Sequence, residues 1–477
     1  MRKYITLLAI ATLCGGMASA KSPKRGVAEN QFSLQGQMTP IEPGVCWYYN
    51  WGQKPGNGYK GEVAAYEGFE YVPMCWNAAY NEQQIRDHVA AHPECKFLLG
   101  FNEPNFKAQA NMTPAQAAEA WPKVQELAKE LGLKLVSPAV NYSPDGPENE
   151  PFTWMTNFIN LVGKDAFDYC AIHCYGGAGT LQDMADRMYE LTGKQVWVTE
   201  FCMWPGGAGD VYVSPEAQIG DMINSLKYME KSDMVFRYAW FKAIGEHNGK
   251  NKPNYGLMIN KNGQGERELS QQGWVYTYLT DFDASVYHNV EEVVPAAKFI
   301  DLNGIMLDKG NNESCTEPIE ISRFNAGAWA DYNFDIPSDG EYTLTLTVSG
   351  QGEPTRFDPK LKVQTVNGDN AEDVSAACQF TLSGNDASYT EQALTLTLRA
   401  GKQTLRLADA NPAQPSGIRI STLKLTATAG VDDIIADATD ASAPTQYFDL
   451  QGRRVDNPVN GLYIARKGTK VTKIYVK

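Results

Sequence analysis

The chain has 477 residues, and its 56 aspartates and glutamates outnumber its 42 lysines and arginines, which gives a formal net charge of −14. This acidic balance argues against a nucleic-acid partner, because phosphate binding requires a basic surface. The length predicts two or three domains. Beyond the first 20 residues, no stretch approaches the ~20 consecutive apolar residues that a membrane span needs.

The N-terminal segment, residues 1–20, has the pattern of a secretory signal peptide. Arg2 and Lys3 precede the apolar run YITLLAIATL, and Ala18-Ser19-Ala20 forms an A-x-A cleavage site. We therefore expect an exported protein that is secreted, extracellular or held at the cell surface, with the periplasm as an alternative location. Nothing in the sequence suggests an assembly larger than a monomer.

Residues 21–284 alternate between short apolar strands and helical segments. Eight strand-like runs follow one another: GVAEN (26–30), VCWYYNW (45–51), EYVPMCW (70–76), KFLLGFN (96–102), KLVSPAV (134–140), YCAIHCY (169–175), QVWVTEF (195–201) and FRYAWF (236–241). A typical helical segment, TPAQAAEAWPKVQELAKELG, opens with an N-cap threonine followed by proline and ends at Gly132. Eight strands separated by helices over about 260 residues predict a (β/α)8 TIM barrel, although the first strand has no obvious helix behind it.

The composition changes near residue 285, where strands with period-2 alternation replace the helices. Nine of the ten tryptophans precede this point. Alternating segments such as EYTLTLTVSG, bounded by glycine, aspartate and proline turns, predict an all-β, jelly-roll-like sandwich over residues 285–428. Residues 429–445 are acidic and alanine-rich, as in a linker. Residues 446–477 then form a small C-terminal β unit.

The cysteines do not indicate a metal or redox site. Eight of the nine follow the signal segment, and six of these lie in or beside apolar runs, where a thiol acts as a small buried hydrophobe. Cys315 and Cys378 are a candidate disulfide pair. No pair has the spacing of a zinc or C-x-x-C site. We therefore expect no cofactor and no metal at the functional site.

Two glutamates follow predicted strands in the barrel region. Glu103 comes directly after the fourth strand in FLLGFNEPNF, and Glu200 closes the seventh in VWVTEF. The C-terminal strand ends of a TIM barrel form one rim, which supplies the catalytic groups. Two carboxylates on one rim are what glycoside hydrolysis requires, because one protonates the leaving oxygen while the other attacks the anomeric carbon or activates water. A second Asn-Glu-Pro triplet around Glu150 follows a loop rather than a strand, and we do not assign it.

Aromatic residues gather at the same predicted strand ends. Sugar rings present apolar faces that stack on such side chains, although aromatic residues in strands also form core. The candidates for sugar contact are Trp47, Trp51, Trp76, Trp204 and Trp240. His173 and Tyr175 share one face of the sixth strand beside Glu200. His173 is either a core histidine or a hydrogen-bonding residue of the site.

The ordered set SPKRGVAEN, VCWYYNWG, EYVPMCWN, FLLGFNEPN, KLVSPAV, AIHCYGG, VWVTEF and YAWF resembles glycoside hydrolase family 128, whose members belong to a clan of retaining (β/α)8 enzymes. The resemblance implies hydrolysis of β-1,3-glucan by double displacement. It would make Glu103 the acid/base and Glu200 the nucleophile. Asn102 would hold the sugar 2-hydroxyl, Tyr175 would orient the nucleophile, and Trp47, Trp76 and Trp240 would be candidate platforms. Cys202 and the loop WPGGAGDVYV depart from the family pattern, so endo or exo action stays open.

The two C-terminal regions carry weaker resemblances. Through AGAWADYNFDIPSDGEYTLTLTVS and PSGIRISTLKLT, the predicted sandwich is similar to carbohydrate-binding module family 6. That family often binds a structural calcium, but the corresponding segment here, PAAKFIDLNG, keeps few of the acidic residues. The final unit, with YFDLQGRRV and GLYIARKG, resembles the C-terminal sorting domains of Bacteroidetes-type bacteria, which implies a surface or extracellular destination.

Two other functions remain compatible with the sequence. A related clan member could act on another β-glycan, such as a mannan or xylan, which product analysis would reveal. A catalytically feeble β-glucan-binding protein on a barrel scaffold is the more distant alternative, since a fold does not by itself define a function.

Overall fold

The computed structural model describes residues 21–30, 37–56, 68–146, 148, 150–205, 211–245, 253–261, 266–313, 317–350, 356–428, 445–449, 453–467 and 470–476. The predicted signal segment and nearly all of the predicted linker lie outside these residues. Cys315 also lies outside them, and Cys378 carries a free thiol. None of the helices in the described part of the chain combines the length and the apolar character of a membrane-spanning helix.

The N-terminal region is built on eight parallel strands. They are β1 (Arg25–Ala28), β2 (Trp47–Tyr49), β3 (Glu70–Tyr71), β4 (Phe97–Leu99), β5 (Lys134–Val140), β6 (Tyr169–Cys174), β7 (Val196–Phe201) and β8 (Val235–Phe241). Their order in the sheet is β3-β2-β1-β8-β7-β6-β5-β4. Met74 forms a parallel bridge to Leu99, which joins the segment after β3 to β4 and closes the ring. The predicted barrel is therefore confirmed as a TIM-like barrel.

Helices follow six of the strands. They are α1 (Glu82–Ala91), α2 (Pro114–Leu131), α3 (Pro151–Val162), α4 (Ala178–Thr192), α5 (Pro215–Lys231) and α6 (Gln271–Tyr278), with 3-10 turns at Thr39–Ile41 and Lys164–Ala166. The predicted start of α2 is present as a capping box between Thr113 and Gln116, and Gly132 ends the helix at φ 67°. Only a 3-10 turn stands between β1 and β2 in the described residues, as expected for the first strand.

Alternation along the strands divides the aromatic side chains between two apolar layers. One layer fills the barrel interior and includes Trp47, Tyr49 and Trp197. The other lies between the strands and the helices and includes Tyr48 and Trp240. Successive side chains of a strand point to opposite faces, so a shift of one position moves a ring from one layer to the other.

The interior layer is closed at the N-terminal end of the strands by Arg237. Its guanidinium lies 4.6 Å from the Phe97 ring centre and 5.1 Å from that of Trp197, and it pairs with Glu70 at 2.7 Å. Rings and an ion pair thus fill this end, which leaves the opposite rim for function, as in TIM barrels generally.

The rest of the chain is mostly β structure. After the hairpin β9 (Met258–Asn260) and β10 (Arg267–Leu269) come β11 (His288–Asn289), β12 (Val293–Pro295), β13 (Asp301–Lys309), β14 (Ile319–Ile336), β15 (Gly340–Gly350), β16 (Lys360–Asn367), β17 (Asn370–Asp373), β18 (Cys378–Gln379), β19 (Thr390–Leu398), β20 (Gly401–Asp409) and β21 (Ile418–Ala427). These strands from β11 onward belong to one 11-stranded network. The tail strands β22 (Gln446–Phe448), β23 (Arg454–Val455), β24 (Gly461–Lys467) and β25 (Lys470–Val476) form a four-stranded antiparallel sheet. A second, mostly β region is therefore confirmed, while the exact domain boundaries and the sandwich architecture stay predictions.

The β region packs against the outer helices of the barrel. Lys227 and Lys231 of α5 pair with Asp301 of β13 at 2.6 and 2.7 Å. Arg323 pairs with Glu216, and Lys309 lies 4.9 Å from the ring centre of Trp274. Charged side chains therefore help to attach the β region to α5 and α6.

Candidate active site

Glu103 and Glu200 both lie at the C-terminal rim of the barrel. Glu200 is within β7, and its side chain is almost fully buried, as is that of Glu103. Glu103 follows β4 with φ 41°, a left-handed conformation that is uncommon for a residue with a side chain. Its backbone N–H donates to the carbonyl of Ala139 at 2.9 Å. The neighbouring strand β5 therefore holds the turn that directs this carboxylate.

His173 of β6 joins the two carboxylates. Its Nδ1 lies 2.9 Å from Oε1 of Glu103 and 3.4 Å from Oε2 of Glu200. One ligand atom from each of the three side chains lies within 4.8 Å of the other two. Imidazole and carboxylates are also common metal ligands, so these three residues could hold a divalent cation. The expectation that the site works without a metal stays a prediction.

Glu200 accepts hydrogen bonds from three aromatic side chains. The Tyr49 hydroxyl donates to Oε1 at 3.0 Å, and the Trp51 indole donates to the same oxygen at 2.7 Å. The Tyr175 hydroxyl donates to Oε2. A carboxylate held by several donors is fixed in orientation, and its ionised form is favoured.

Opposing influences set the proton affinities in this cluster. Burial raises the pKa of Glu200 above its ordinary value, although the charge of His173 and the hydrogen bonds from Tyr175 and Trp51 act against it. Burial lowers the pKa of His173, but the carboxylates of Glu200 and Glu103 outweigh it and leave the value raised. The proton affinities of Glu200 and His173 therefore depend on each other, and a change at one of them alters the other.

The surroundings of Glu103 are rich in amide side chains. Nδ2 of Asn141 donates to Oε1 of Glu103 at 3.3 Å. Nδ2 of Asn102 donates to Gln109 at 3.2 Å, and its buried Oδ1 has no hydrogen-bond partner among the described residues. The second ring nitrogen of His173, Nε2, is in the same situation. Such buried polar atoms are available to a ligand with hydroxyl groups.

Half-buried aromatic rings surround the carboxylates. Phe241 lies 6.0 Å from Trp51 and 5.4 Å from Tyr175, measured between ring centres. Trp204 stacks on Tyr255 at 5.2 Å and 27°. Trp76 packs on the interior layer, and its carbonyl accepts the N–H of Asn102. These rings offer apolar faces at the same rim as the polar cluster.

Two of the predicted sugar contacts are corrected, Trp47 by its depth along the barrel and Trp240 by the alternation of its strand. Trp47 is fully buried in the barrel interior, with its indole donating to the carbonyl of Lys24 at the N-terminal end of the strands. Trp240 is also fully buried, in the layer between strands and helices, and donates to the carbonyl of Tyr255. Neither ring lies at the rim.

Several residues of the cluster escaped the sequence analysis. Tyr49 lies two positions after Trp47, and Phe241 lies one position after Trp240. The period-2 pattern of the strands could have identified both once the inward face was known. Asn141 directly follows β5, so the strand-end pattern that identified Glu103 could have identified it, whereas Gln109 and Tyr255 come from loops whose relation to the rim only the fold establishes. Of the predicted residues, those brought together at the rim are Glu103, Glu200, Asn102, His173, Tyr175, Trp51, Trp76 and Trp204.

Comparisons with known proteins agree with this arrangement. Residues 26–276 match the sequence family described as glycosyl hydrolase catalytic core. No curated protein matches the chain significantly.

Among solved structures, the chain is similar to a GH128 subgroup II endo-β-1,3-glucanase from Pseudomonas viridiflava, with 33% identity over 55% of this chain and 99% of that one and a TM-score of 0.47. A subgroup II enzyme of the same description from Sorangium cellulosum is 32% identical over 53% of this chain and 97% of that one, with a TM-score of 0.45. A subgroup I endo-β-1,3-glucanase from Amycolatopsis mediterranei, solved with laminaritriose, is 25% identical over 53% of this chain and 98% of that one, with a TM-score of 0.42.

The family match spans the whole barrel, from β1 to α6, and includes both rim carboxylates. The chain therefore belongs to the glycosyl hydrolase catalytic core family, and it is a glycoside hydrolase.

Proposed function

We propose that this protein hydrolyses β-1,3-glucan with retention of anomeric configuration. The observation that carries the proposal is the proximity of the two rim carboxylates, which present oxygens within 4.8 Å of each other. Retaining enzymes hold their carboxyl groups about 5–5.5 Å apart, whereas inverting enzymes need about 6.5–9.5 Å to admit a water molecule. Carboxyl oxygens that approach to within 4.8 Å lie below the inverting range and close to the retaining one, which supports double displacement.

Glu200 is the better nucleophile because three donors hold its carboxylate in one orientation. In the first step an oxygen of Glu200 bonds to the anomeric carbon as the glycosidic bond breaks, and Glu103 gives its proton to the departing oxygen. In the second step Glu103 takes a proton from water, and the water oxygen displaces Glu200 from the sugar. His173 and Asn141 contact Glu103 through both steps and hold its carboxyl in place.

The substrate class is supported by the rim and by sequence. Four aromatic rings at the rim can stack on sugar faces, those of Trp51, Trp76, Trp204 and Phe241. The buried Oδ1 of Asn102 can accept a hydrogen bond from a sugar hydroxyl. The chain that shares 33% identity along 99% of its length is described as an endo-β-1,3-glucanase. We therefore place this protein in glycoside hydrolase family 128, with β-1,3-glucan as its ligand.

The C-terminal regions fit the same activity. We propose that residues 285–428 form a β-sandwich carbohydrate-binding module and that the tail sends the exported protein to the cell surface or the medium. The support is the sequence resemblance to family 6 modules and to sorting domains. A structural calcium in the module and a monomeric state stay predictions.

The test is product release from linear β-1,3-glucan, with xylan and mannan as controls, by wild type, Glu103→Gln and Glu200→Gln. We expect oligosaccharides from β-1,3-glucan with wild type alone, and kcat reduced by about 10²–10⁴-fold in either variant. Proton NMR of the first product should reveal the β anomer before mutarotation. An initial α anomer would exclude retention.

Glu150→Gln is the matched control, because Glu150 belongs to the second Asn-Glu-Pro triplet but caps α3 through the N–H of Thr153. Its variant should keep wild-type kcat. Products from xylan or mannan instead of β-1,3-glucan would refute the substrate class. Retention on insoluble glucan without any product would identify a binding protein.

A further inference from the structure

Helix α5 follows β7, the strand that carries Glu200, and contacts two loops that each carry a residue of the rim. Gln218 and Asp221 lie three positions apart on this helix, so their side chains share one face. The loop after β6 carries Tyr175, and the loop after β7 carries Trp204. Each of the two helix residues holds one of these loops.

Gln218 forms hydrogen bonds with both the backbone N–H and the backbone carbonyl of one residue in the loop after β7. Its Oε1 accepts the backbone N–H of Met203 at 3.2 Å, and its Nε2 donates to the carbonyl of Met203 at 2.7 Å. The side chain is fully buried. A buried amide whose two ends are both used fixes the peptide beside it, because loss of either bond leaves a buried polar group unpaired.

Asp221 binds the loop after β6. Its Oδ1 accepts the N–H of Ala178 at 2.7 Å, at the first turn of α4. The N-cap position of α4 is Gly177, which has no side chain to cap the helix, so the carboxylate from α5 supplies the cap. A Cβ at Gly177 would stand 3.1 Å from this oxygen. The approach of the two elements is therefore close.

A fourth hydrogen bond joins the two loops to each other. The N–H of Trp204 donates to the carbonyl of Tyr175 at 2.8 Å. Together the contacts form a closed circuit: from Gln218 to Met203 and Trp204, across to Tyr175, through Gly177 and Ala178, and back to Asp221. Tyr175 in turn donates to Glu200, and Trp204 stacks on Tyr255.

We propose that Gln218 and Asp221 are positioning residues that set the orientation of the nucleophile and of the Trp204 platform. They act through Tyr175 and Trp204, which contact the reacting carboxylate or line the site. This inference deepens the proposed function and depends on it for its catalytic consequence, whereas the backbone circuit exists regardless of the substrate.

The first part of the test is kinetic, with Gln218→Met and Asp221→Leu assayed on β-1,3-gluco-oligosaccharides. Asp221→Leu should lower kcat about tenfold or more with little change in KM, because a small misplacement of a catalytic group is costly. Gln218→Met should also raise KM, since it releases Trp204. Asp221→Asn keeps an acceptor for Ala178 and should restore most of kcat.

A double variant separates positioning from general destabilisation. Tyr175→Phe with Asp221→Leu should lose no more activity than Tyr175→Phe alone, because both changes act through the same hydroxyl. Additive losses, or a kcat of Asp221→Leu within twofold of wild type, would overturn the inference. Gln125→Met is the control, because Gln125 ties α2 to the carbonyl of Ala166, distant from the rim.

The second part does not depend on catalysis. Amide hydrogen exchange of Trp204 should accelerate in both Gln218→Met and Asp221→Leu, although neither side chain contacts that N–H. An inactive wild type with accelerated exchange in the variants would refute the proposed function and leave the circuit intact. An active wild type with unchanged exchange and unchanged kcat would refute the circuit.

Discussion

Nδ1 of His173 lies 2.9 Å from Oε1 of Glu103, and the imidazole ring is completely buried. The same nitrogen is 3.4 Å from Oε2 of Glu200, so one imidazole contacts both carboxyl groups. Two buried carboxylates this close repel each other unless a proton or a positive charge stands between them. The two carboxylates raise the pKa of His173 against the effect of burial, which favours a positive charge on the imidazole between them.

Replacing His173 should therefore raise the pH at which the enzyme becomes active. In His173→Ala the charge that lowers the pKa of Glu200 is lost, so the nucleophile ionises at higher pH. The acid limb of the kcat/KM profile should move upward, and the maximum should fall about tenfold or more. His288→Gln, which alters the His288–Glu292 pair of the β region, is the control. An acid limb at the wild-type position would contradict this role.

Trp51 makes a second contribution to the same ionisation. Its indole donates to Oε1 of Glu200, which favours the carboxylate form and lowers the pKa of Glu200. In Trp51→Phe the ring remains and the donor is lost. We expect the acid limb to rise by about one pH unit, because a hydrogen bond to a charged group contributes about 1.5–3 kcal/mol. Trp76→Phe, whose ring lies at the rim without a contact to Glu200, should change KM and leave the limb in place.

Neighbouring residues of β8 should give opposite phenotypes. Trp240 is buried in the layer between the strands and the helices. Trp240→Leu should therefore destabilise the fold by about 2–4 kcal/mol, since full truncation of a buried tryptophan costs about 3–5 kcal/mol. Its KM should stay near wild type. Phe241→Leu should instead raise KM roughly 2–10-fold through the lost ring contact. Urea unfolding and steady-state kinetics on both variants distinguish the two faces, and an exchange of the two phenotypes would refute the assignment.

Asp221→Asn should stabilise the protein above neutral pH. Burial raises the pKa of Asp221 from 3.8 to about 6, so the unfolded chain releases this proton first as the pH rises. The stability that Asp221 contributes is therefore lost as the pH rises from 3.8 to about 6, and it stays lost at higher pH. The variant removes this cost, and we expect its free energy of unfolding to exceed that of wild type by about 1–3 kcal/mol at pH 8.

The advantage of Asp221→Asn should be small at pH 4 and shrink toward zero at pH values well below 3.8, where Asp221 is protonated in both the folded and the unfolded wild type. Asp168→Asn is the control, because Asp168 caps the N–H of Leu135 with a half-exposed carboxylate. An equal gain at pH 4 and pH 8 would show that titration is not the cause.

The sequence by itself determined the parts of this protein that depend on local pattern. Apolar runs of strand length, capped helices and the change to period-2 alternation predicted the barrel and the β region, because these signals are written in neighbouring residues. Glu103 and Glu200 could be identified from the same pattern, since each directly ends or follows a buried strand and strand ends share one rim.

Only the tertiary structure decided which side chains reach that rim. Trp240 lies in the outer layer because a shift of one residue moves a ring to the other face of a strand, whereas Trp47 faces the interior but lies at the N-terminal end of the barrel. The contacts of Asn141 with Glu103, and of Gln218 and Asp221 with the two loops, join segments distant along the chain. Such contacts arise from the packing of neighbouring strands, helices and loops in the folded barrel, which no local pattern encodes.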